Sequence, residues 1–294
     1  MDTIERREVR IQSKEMLSYR YRQGGKHTLV LLHGNMASSR QYDYFMENID
    51  KAFTIYAIDM RGFGNSSYFT RIDSLDTFAE DLKEFVDAIG IKTFTLIGWS
   101  LGGNVAMRFA IDYPEHVEKL VLLAPPSVKG IPVRKRTLFG LCASRRFVMT
   151  REGMEKRVAT VEHWKISNRR HRLKRMLNRK RFNNQKPLKA RYDNYLNELM
   201  MQRNLADVTL ALSRFNISEE HNGVVSGTGE ASQIAMPTLI IHGDKDRAVP
   251  LQAAYENKRA IGENAEVHVV KNGDHALMMG SLGDLMNVVE TFVL

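Results

Sequence analysis

Residues 93–112 read Thr93-Phe-Thr-Leu-Ile-Gly-Trp-Ser100-Leu-Gly-Gly-Asn-Val-Ala-Met-Arg-Phe-Ala-Ile-Asp112, and this stretch decides the fold. Its first five residues are β-branched or apolar, which is the composition of a buried strand. Apolar residues from Val105 to Ala110 then recur at helical spacing, as on one face of a packed helix. The sequence therefore predicts a strand and a helix joined by a short turn that carries Ser100.

The turn itself has the pattern G-x-S-x-G, formed by Gly98, Ser100 and Gly102. A serine on so sharp a strand-to-helix turn is strained, and crowding leaves room only for glycine at the flanking positions. The turn lifts the hydroxyl clear of the sheet and places the Leu101 amide at a helix N-terminus, where it can face a developing oxyanion. We interpret the turn as a nucleophile elbow; an ordinary Gly-Ser turn is the alternative.

Composition narrows the class of protein. The chain has 294 residues and is 43% hydrophobic, enough for one sizeable core with a large insertion. A single cysteine, Cys142, excludes an intramolecular disulfide and suits a reducing compartment. Residues 1–10 are charged and lack the apolar segment of a secretory signal, and no apolar run approaches the ~18 residues of a membrane span. We therefore expect a cytoplasmic protein without a transmembrane segment.

The net charge of +9 is concentrated in one part of the chain. Residues 126–235 contain 23 lysines and arginines against 9 acidic residues, whereas the remainder is net acidic. Residues 163–192 alone hold 12 basic residues and no acid. This imbalance indicates a distinct basic module within the chain.

Strands alternate with helices along the chain, which predicts a parallel, doubly wound α/β sheet. Residues 6–22 alternate around a polar turn and predict an opening antiparallel hairpin. Beyond the elbow, the predicted strands are 28–33, 54–59, 120–124, 237–242 and 265–270, and the predicted helices are 39–49, one ending at Gly90, and 251–261.

Five motifs resemble, in order and spacing, the landmark motifs of the α/β-hydrolase family over residues 9–125 and 236–294. They are His33-Gly34-Asn35, Asp59-Met-Arg-Gly-Phe-Gly-Asn-Ser66, Gly98-Trp-Ser-Leu-Gly102, Gly243-Asp-Lys-Asp246 and Gly273-Asp-His275. The resemblance implies a mostly parallel eight-stranded sheet flanked by helices. It also implies a core domain of residues 1–125 and 236–294, with residues 126–235 as a basic, mainly helical cap inserted after the sixth strand.

A serine hydroxyl needs a base to take its proton, and the base needs an acid to orient it. His275 lies in a loop after the last predicted strand, at the edge where open α/β sheets bind ligands. Asp246 matches the acid of the family, with Asp244 as the alternative. The chain order Ser100, Asp246, His275 is the one expected for this fold.

The resemblance also assigns the residues around the reacting carbonyl. The backbone amide of Asn35 is expected to complete an oxyanion hole with the backbone amide of Leu101, and the backbone amide of Met36 is the alternative. Met36 and Trp99 are predicted to contact substrate, and His33 is expected to be structural. Related dehalogenases and epoxide hydrolases carry aspartate where this chain has Ser100, which argues against both chemistries.

These residues predict carboxylic ester hydrolysis through an acyl-enzyme, with no metal or organic cofactor. The Gly98-Trp-Ser-Leu-Gly102 motif, the loop after His33 and the stretches around Arg203 and His221 are similar to Bacillus-type intracellular short-chain polyhydroxyalkanoate depolymerases. That similarity implies cleavage of poly(3-hydroxybutyrate). Alternatives are a general carboxylesterase or lactonase for small esters, a carbon–carbon bond hydrolase or cofactor-free haloperoxidase on the same triad, and a non-catalytic receptor.

The basic segment leaves several interpretations open. It is either a solvated cap surface or a docking surface for an anionic granule, a membrane or an acidic protein, and nucleic acid is the least favoured partner. The glycine-rich residues 222–229 suggest a mobile lid. A small-molecule or oligomeric ester is the predicted substrate.

Overall fold

The computed structural model describes residues 4–136, 143–180 and 189–294; Met1 and Cys142 lie outside these ranges. The strands are β1 Glu5–Arg10, β2 Met16–Arg22, β3 His27–Leu32, β4 Phe53–Ile58, β5 Phe94–Trp99, β6 Val117–Leu123, β7 Arg134–Arg136, β8 Ala143–Phe147, β9 Thr238–Gly243 and β10 Ala265–Val270. The α-helices are α1 Asp43–Asn48, α2 Asp76–Ile89, α3 Leu101–Asp112, α4 Arg151–Ile166, α5 Arg170–Lys180, α6 Lys189–Met201, α7 Leu205–Arg214, α8 Gln252–Ile261, α9 Leu277–Gly280 and α10 Leu282–Val293.

Eight strands form the central sheet, in the order β1-β2-β4-β3-β5-β6-β9-β10. Strand β2 runs antiparallel to β1 and β4, and the other neighbouring pairs are parallel. Every residue of β5 is buried, as expected for a central strand covered on both faces. The structure confirms the predicted α/β-hydrolase architecture with a mostly parallel eight-stranded sheet.

Two apolar clusters lie on opposite faces of this sheet. Along β3, Val30 and Leu32 belong to the cluster that covers one face, while Leu29 and Leu31 belong to the cluster on the other face. This alternation is the two-residue repeat of a strand. Helices α2, α3 and α8 pack into the first cluster, and α1 and α10 pack into the second.

Helix α2 illustrates why the sequence folds as predicted. Its apolar stripe, from Phe78 to Val86, is buried against the sheet. The helix ends at Gly90, whose φ of 75° is the left-handed conformation that closes a helix without a steric cost to glycine.

The insertion between β6 and β9 carries helices α4 to α7 and the two-stranded hairpin β7–β8. Val148, Met154 and Leu210 pack together where α4 meets α7. The stretch predicted as a lid is held by side-chain amides: Asn222 donates to the carbonyl oxygens of Lys129 and Phe215. Lid motion stays a prediction. None of the helices in the described ranges has the length and apolarity to span a bilayer.

Candidate active site

The candidate site lies at the carboxyl ends of the parallel strands, where β5 passes into α3. Ser100 has φ 54° and ψ −120°, a strained conformation for a residue with a side chain. The turn is so tight that a Cβ on Gly98 would lie 2.3 Å from the Gly102 carbonyl oxygen. The glycine at position 98 is therefore a steric requirement of the turn that presents Ser100.

Three side chains from separate loops meet at this turn. The His275 Nε2 lies 3.0 Å from the Ser100 Oγ, and the His275 Nδ1 lies 2.7 Å from the Asp246 Oδ2. His275 follows β10 and Asp246 follows β9, so adjacent strands deliver them to the same edge. Ser100 is 9% exposed and His275 only 2%, and the reacting atoms are therefore largely shielded from water.

The hydrogen bonds of Asp246 define its charge state. Its Oδ1 accepts from the amides of Ala248 at 2.7 Å and Val249 at 2.9 Å. Burial alone would raise the pKa of Asp246, but hydrogen bonds from His242, His275 and the Val249 amide outweigh it and hold the pKa well below its usual range. An ionised Asp246 fixes the proton of His275 on Nδ1 and leaves the Nε2 lone pair facing Ser100.

Asp244, the alternative acid, lies elsewhere. Its carboxylate is 4.0 Å from the Lys245 ammonium. The structure thus brings Asp246, and not Asp244, to His275.

His242 is a member of this network that the sequence analysis did not identify. It is fully buried at the end of β9, and its Nε2 lies 3.0 Å from the Val249 carbonyl oxygen and 3.3 Å from the Asp246 Oδ2. Both neighbours are acceptors, so Nε2 carries a proton. The sequence feature that could have identified His242 is its position four residues before Asp246.

Trp99 does not occupy the predicted place beside the substrate. Its side chain has no exposed surface, and its indole Nε1 donates to the His275 carbonyl oxygen at 2.9 Å. The two rings lie 5.5 Å apart. The predicted substrate contact is therefore wrong: a buried Trp99 supports the loop that carries His275.

Two backbone segments adjoin Ser100 and carry the predicted oxyanion donors. The Leu101 amide belongs to the first turn of α3, where amides lack partners within the helix. The loop after β3 passes close by, since a Cβ on Gly34 would lie 3.1 Å from the Ser100 Cβ. Asn35 and Met36 follow Gly34 in this loop. His33 anchors the loop, because its Nδ1 donates to the Gly34 carbonyl at 2.8 Å and its Nε2 accepts from the Met60 amide at 3.1 Å.

The Met36 amide is already engaged. It donates to the Asn35 Oδ1 at 2.9 Å and to the Gln202 Oε1 at 3.1 Å. This engagement argues against Met36 as the oxyanion donor, and the backbone amide of Asn35 stays the predicted donor. Gln202, a buried residue of the insertion, was not identified from the sequence because nothing local indicates its partner 166 residues away.

An apolar cluster of the insertion packs against the two loops beside the site. It joins α5 and α6 to Ala276, the residue after His275, and to Met36. Its members are Leu173, Leu177, Tyr192, Tyr195, Leu196, Leu199 and Ala276, with Met36, Val161, Trp164, Met176, Met200 and Met279 packed against them. We name this set the roof cluster. In the described parts of the chain, no group of three or more histidine, cysteine, aspartate or glutamate side chains is arranged to hold a metal ion.

Comparison with known proteins agrees with this fold. The model of a family described as alpha/beta hydrolase fold matches residues 27–281. The chain is 31% identical over 268 residues to a 2-hydroxy-6-oxononadienedioate/2-hydroxy-6-oxononatrienedioate hydrolase of Paraburkholderia phymatum, covering 85% of this chain and 81% of that protein. It is 24% identical to the human serine hydrolase BPHL, covering 94% and 82%. An esterase from Exiguobacterium antarcticum superposes with a TM-score of 0.74 at 17% identity, covering 100% and 99%.

Proposed function

The chain belongs to the α/β-hydrolase family, and on that premise we propose that it is a serine hydrolase cleaving carboxylic esters through an acyl-enzyme. The observation that carries the proposal is the continuous hydrogen-bond chain from Ser100 through His275 to Asp246, with links of 3.0 and 2.7 Å. Simple ligand binding would require no such chain, which argues against a non-catalytic receptor.

The proposed mechanism follows from the donors and acceptors in place. Ser100 Oγ attacks the ester carbonyl carbon while His275 Nε2 takes its proton, and the ionised Asp246 stabilises the resulting imidazolium. The amides of Leu101 and Asn35 donate to the oxyanion. The tetrahedral intermediate then collapses, and His275 protonates the leaving alcohol. Water, deprotonated by His275, releases the acid and restores Ser100.

The surroundings of the triad support an ester with an apolar acyl group. The roof cluster beside Ala276 offers methionine, leucine and tyrosine side chains. Methionine adapts its shape to irregular apolar ligands, so we expect tolerance of several chain lengths.

A carbon–carbon bond hydrolase is the second candidate, because the relative from Paraburkholderia phymatum bears that type of name. A dioate substrate has two carboxylates, which proteins bind with arginine or lysine. The side chains placed against the triad and the loop after β3 include the Trp99 indole, the His242 imidazole, the Gln202 amide and the apolar roof cluster, and none of these is cationic. This favours the ester over the dioate.

The first experiment measures hydrolysis of p-nitrophenyl esters with acyl chains of increasing length, beside amorphous poly(3-hydroxybutyrate) granules and a 2-hydroxy-6-oxodienedioate. The Ser100→Ala variant is the control, and we expect it to lower turnover by roughly 10⁴- to 10⁶-fold. Release of 3-hydroxybutyrate by the wild type alone would support the depolymerase. Turnover of short esters with untouched granules would support a small-molecule esterase. Cleavage of the dienedioate alone would replace ester chemistry with carbon–carbon hydrolysis.

We propose further that α5 docks on an anionic phospholipid surface, such as a membrane or the coat of a storage granule. The outer face of α5 carries four exposed cations, Arg172, Lys174, Arg175 and Arg179, and Ile166 just before it is 85% exposed. Cations bind anionic headgroups, and an exposed isoleucine beside them inserts at the interface.

Sedimentation with vesicles tests this docking. The wild type is expected to bind vesicles containing about 30% phosphatidylglycerol, and to dissociate as salt screens the charges. Replacing Arg172, Arg175 and Arg179 by glutamine should abolish binding. Replacing Lys26, Lys92 and Lys271, which are exposed and lie outside the insertion, by glutamine changes the net charge equally and is the matched control. Equal binding by both triple variants would refute a specific role for α5.

A further inference from the structure

Gln202 connects the insertion to the loop beside Ser100. It lies between α6 and α7 and is 2% exposed. Its Nε2 donates to the Asn35 Oδ1 and to the Asn204 Oδ1, each at 2.9 Å, and its Oε1 accepts from the Met36 amide at 3.1 Å. Both amide protons and one oxygen lone pair of Gln202 are therefore used.

The pattern of partners allows only one orientation of this amide. If Nε2 and Oε1 were exchanged, the nitrogen would face the Met36 N–H and the oxygen would face the side-chain oxygens of Asn35 and Asn204. All three hydrogen bonds of the buried Gln202 side chain would then become repulsive contacts between two donors or two acceptors. The contact thus has a defined geometry and is more than packing.

These bonds hold the backbone on which the oxyanion amide depends. Met36 has a φ of 57°, a conformation that costs a non-glycine residue of order 1 kcal/mol or more and persists only when its surroundings enforce it. Gln202 and the Asn35 side chain both bind the Met36 amide. Gln202 also fixes the Asn35 side chain. The side chain of Asn35 and the peptide that follows it are therefore both held from the insertion.

The segment that carries Gln202 is itself anchored to the core. The Arg203 amide donates to the Gly62 carbonyl at 2.9 Å, and the Asn204 Nδ2 donates to the Arg61 carbonyl at 2.7 Å. Within α6, the Glu198 carboxylate accepts a hydrogen bond from the Ser38 hydroxyl, two residues after Met36. This corner of the insertion is thus bound to the loop after β3 at two points four residues apart.

We infer that Gln202 is a positioning residue for the oxyanion site, so that the site is complete only while residues 198–204 are docked on the loop after β3. This inference rests on the proposed ester hydrolysis and deepens it. Gln202 touches neither substrate nor the reacting atoms; it acts through Asn35. A loop misplaced by an ångström at the reacting centre costs about 10²-fold in rate, and the loss of one oxyanion donor costs about 10²- to 10³-fold.

The test uses two substitutions of Gln202 in the full chain. Gln202→Glu keeps the shape and the acceptor for Met36 but removes both donors, and Gln202→Met removes every polar contact at similar volume. Asn216→Asp is the matched control, because it makes the same amide-to-carboxyl change at a buried amide whose donations, to the Glu220 and Val225 carbonyls, stay within the insertion. Active enzyme is counted in each case by fluorophosphonate labelling of Ser100.

Four quantities are then measured: kcat and KM for p-nitrophenyl butyrate, and the inhibition constants of butylboronic acid and butyrate. The boronic acid forms a tetrahedral adduct on Ser100 that requires the oxyanion site, whereas butyrate is a ground-state ligand. We expect both Gln202 variants to lower kcat by about 10- to 100-fold and to weaken the boronic acid by a similar factor, with KM and butyrate affinity changed by about twofold or less. Asn216→Asp should leave kcat per labelled site and boronic acid affinity close to those of the wild type.

Two results would overturn the inference, and they are distinguishable from each other. If the wild type hydrolyses esters and the Gln202 variants keep kcat and boronic acid affinity while only their melting temperature falls, Gln202 is structural. If the wild type hydrolyses no ester, the proposed function fails and the inference fails with it.

Discussion

Replacing Asp246 by asparagine tests the triad most directly, because the effect can be worked out from its four neighbours. The backbone N–H groups of Ala248 and Val249 cannot reverse, so the asparagine oxygen must take the place of Oδ1. Its NH₂ group then faces His275 Nδ1, which in the wild type is itself a donor. His275 must carry its proton on Nε2 and loses the lone pair that would accept the Ser100 proton.

The expected result is a fall in kcat/KM of about 10⁴-fold, the cost of imposing the wrong tautomer on a triad histidine. The assay is hydrolysis of p-nitrophenyl butyrate, normalised to folded protein by circular dichroism. Asp244→Asn is the matched control, because its carboxylate lies beside Lys245 and not beside His275. Activity of Asp246→Asn within tenfold of wild type, or an equal loss in Asp244→Asn, would refute the reasoning.

The same substitution has a signature in stability. Burial raises the pKa of Asp246, but the hydrogen bonds from His242 and His275 outweigh burial, so the pKa is lowered on folding. A lowered folded pKa contributes stability above the ordinary aspartate value of about 4, and this contribution is lost as pH falls towards the folded value. We therefore expect the difference in unfolding free energy between wild type and Asp246→Asn to be largest near pH 7 and to shrink below about pH 4. A gap that widens in acid would contradict the assignment of charge.

Two further predictions concern the elements that support the site. Trp99→Phe should lower the unfolding free energy by about 1–3 kcal/mol, because the buried His275 carbonyl loses its donor. Urea denaturation measures this difference. An unchanged midpoint would show that another donor replaces the indole. Gly98→Ala should prevent soluble expression, since the added methyl would meet the Gly102 carbonyl, whereas Gly283→Ala, in open space within α10, should stabilise by about 0.5–1 kcal/mol. Soluble, active Gly98→Ala protein would show that the elbow relaxes more easily than its geometry indicates.

The features that the sequence predicts correctly are those encoded locally. The alternation of the strands, the left-handed closure at Gly90 and the elbow around Ser100 each depend on residues close in the chain. The meeting of Asp246 with His275 depends on strand order, which the resemblance to the family supplied.

The features that escaped prediction depend on tertiary packing. Trp99 was predicted to contact substrate, but its side chain lies in the core, where the indole donates to the His275 carbonyl oxygen. Gln202 meets Met36 across 166 residues of chain, and only the docked insertion brings them together. No periodicity or motif encodes such a contact.

The insertion connects two neighbouring strands of the sheet. Residues 124–237 leave the carboxyl end of β6 and return to the amino end of β9, and these two parallel strands pair directly from Leu120–Thr238 to Leu123–Ile241. Over generations, that stretch can be lengthened, shortened or exchanged without disturbing strand pairing, and substrate preference can diverge while the chemistry is inherited intact. The exchange has one condition: the replacement segment must place an acceptor beside the Met36 amide, as Gln202 does in this chain. Lineages of this chain should therefore vary sparingly at position 202.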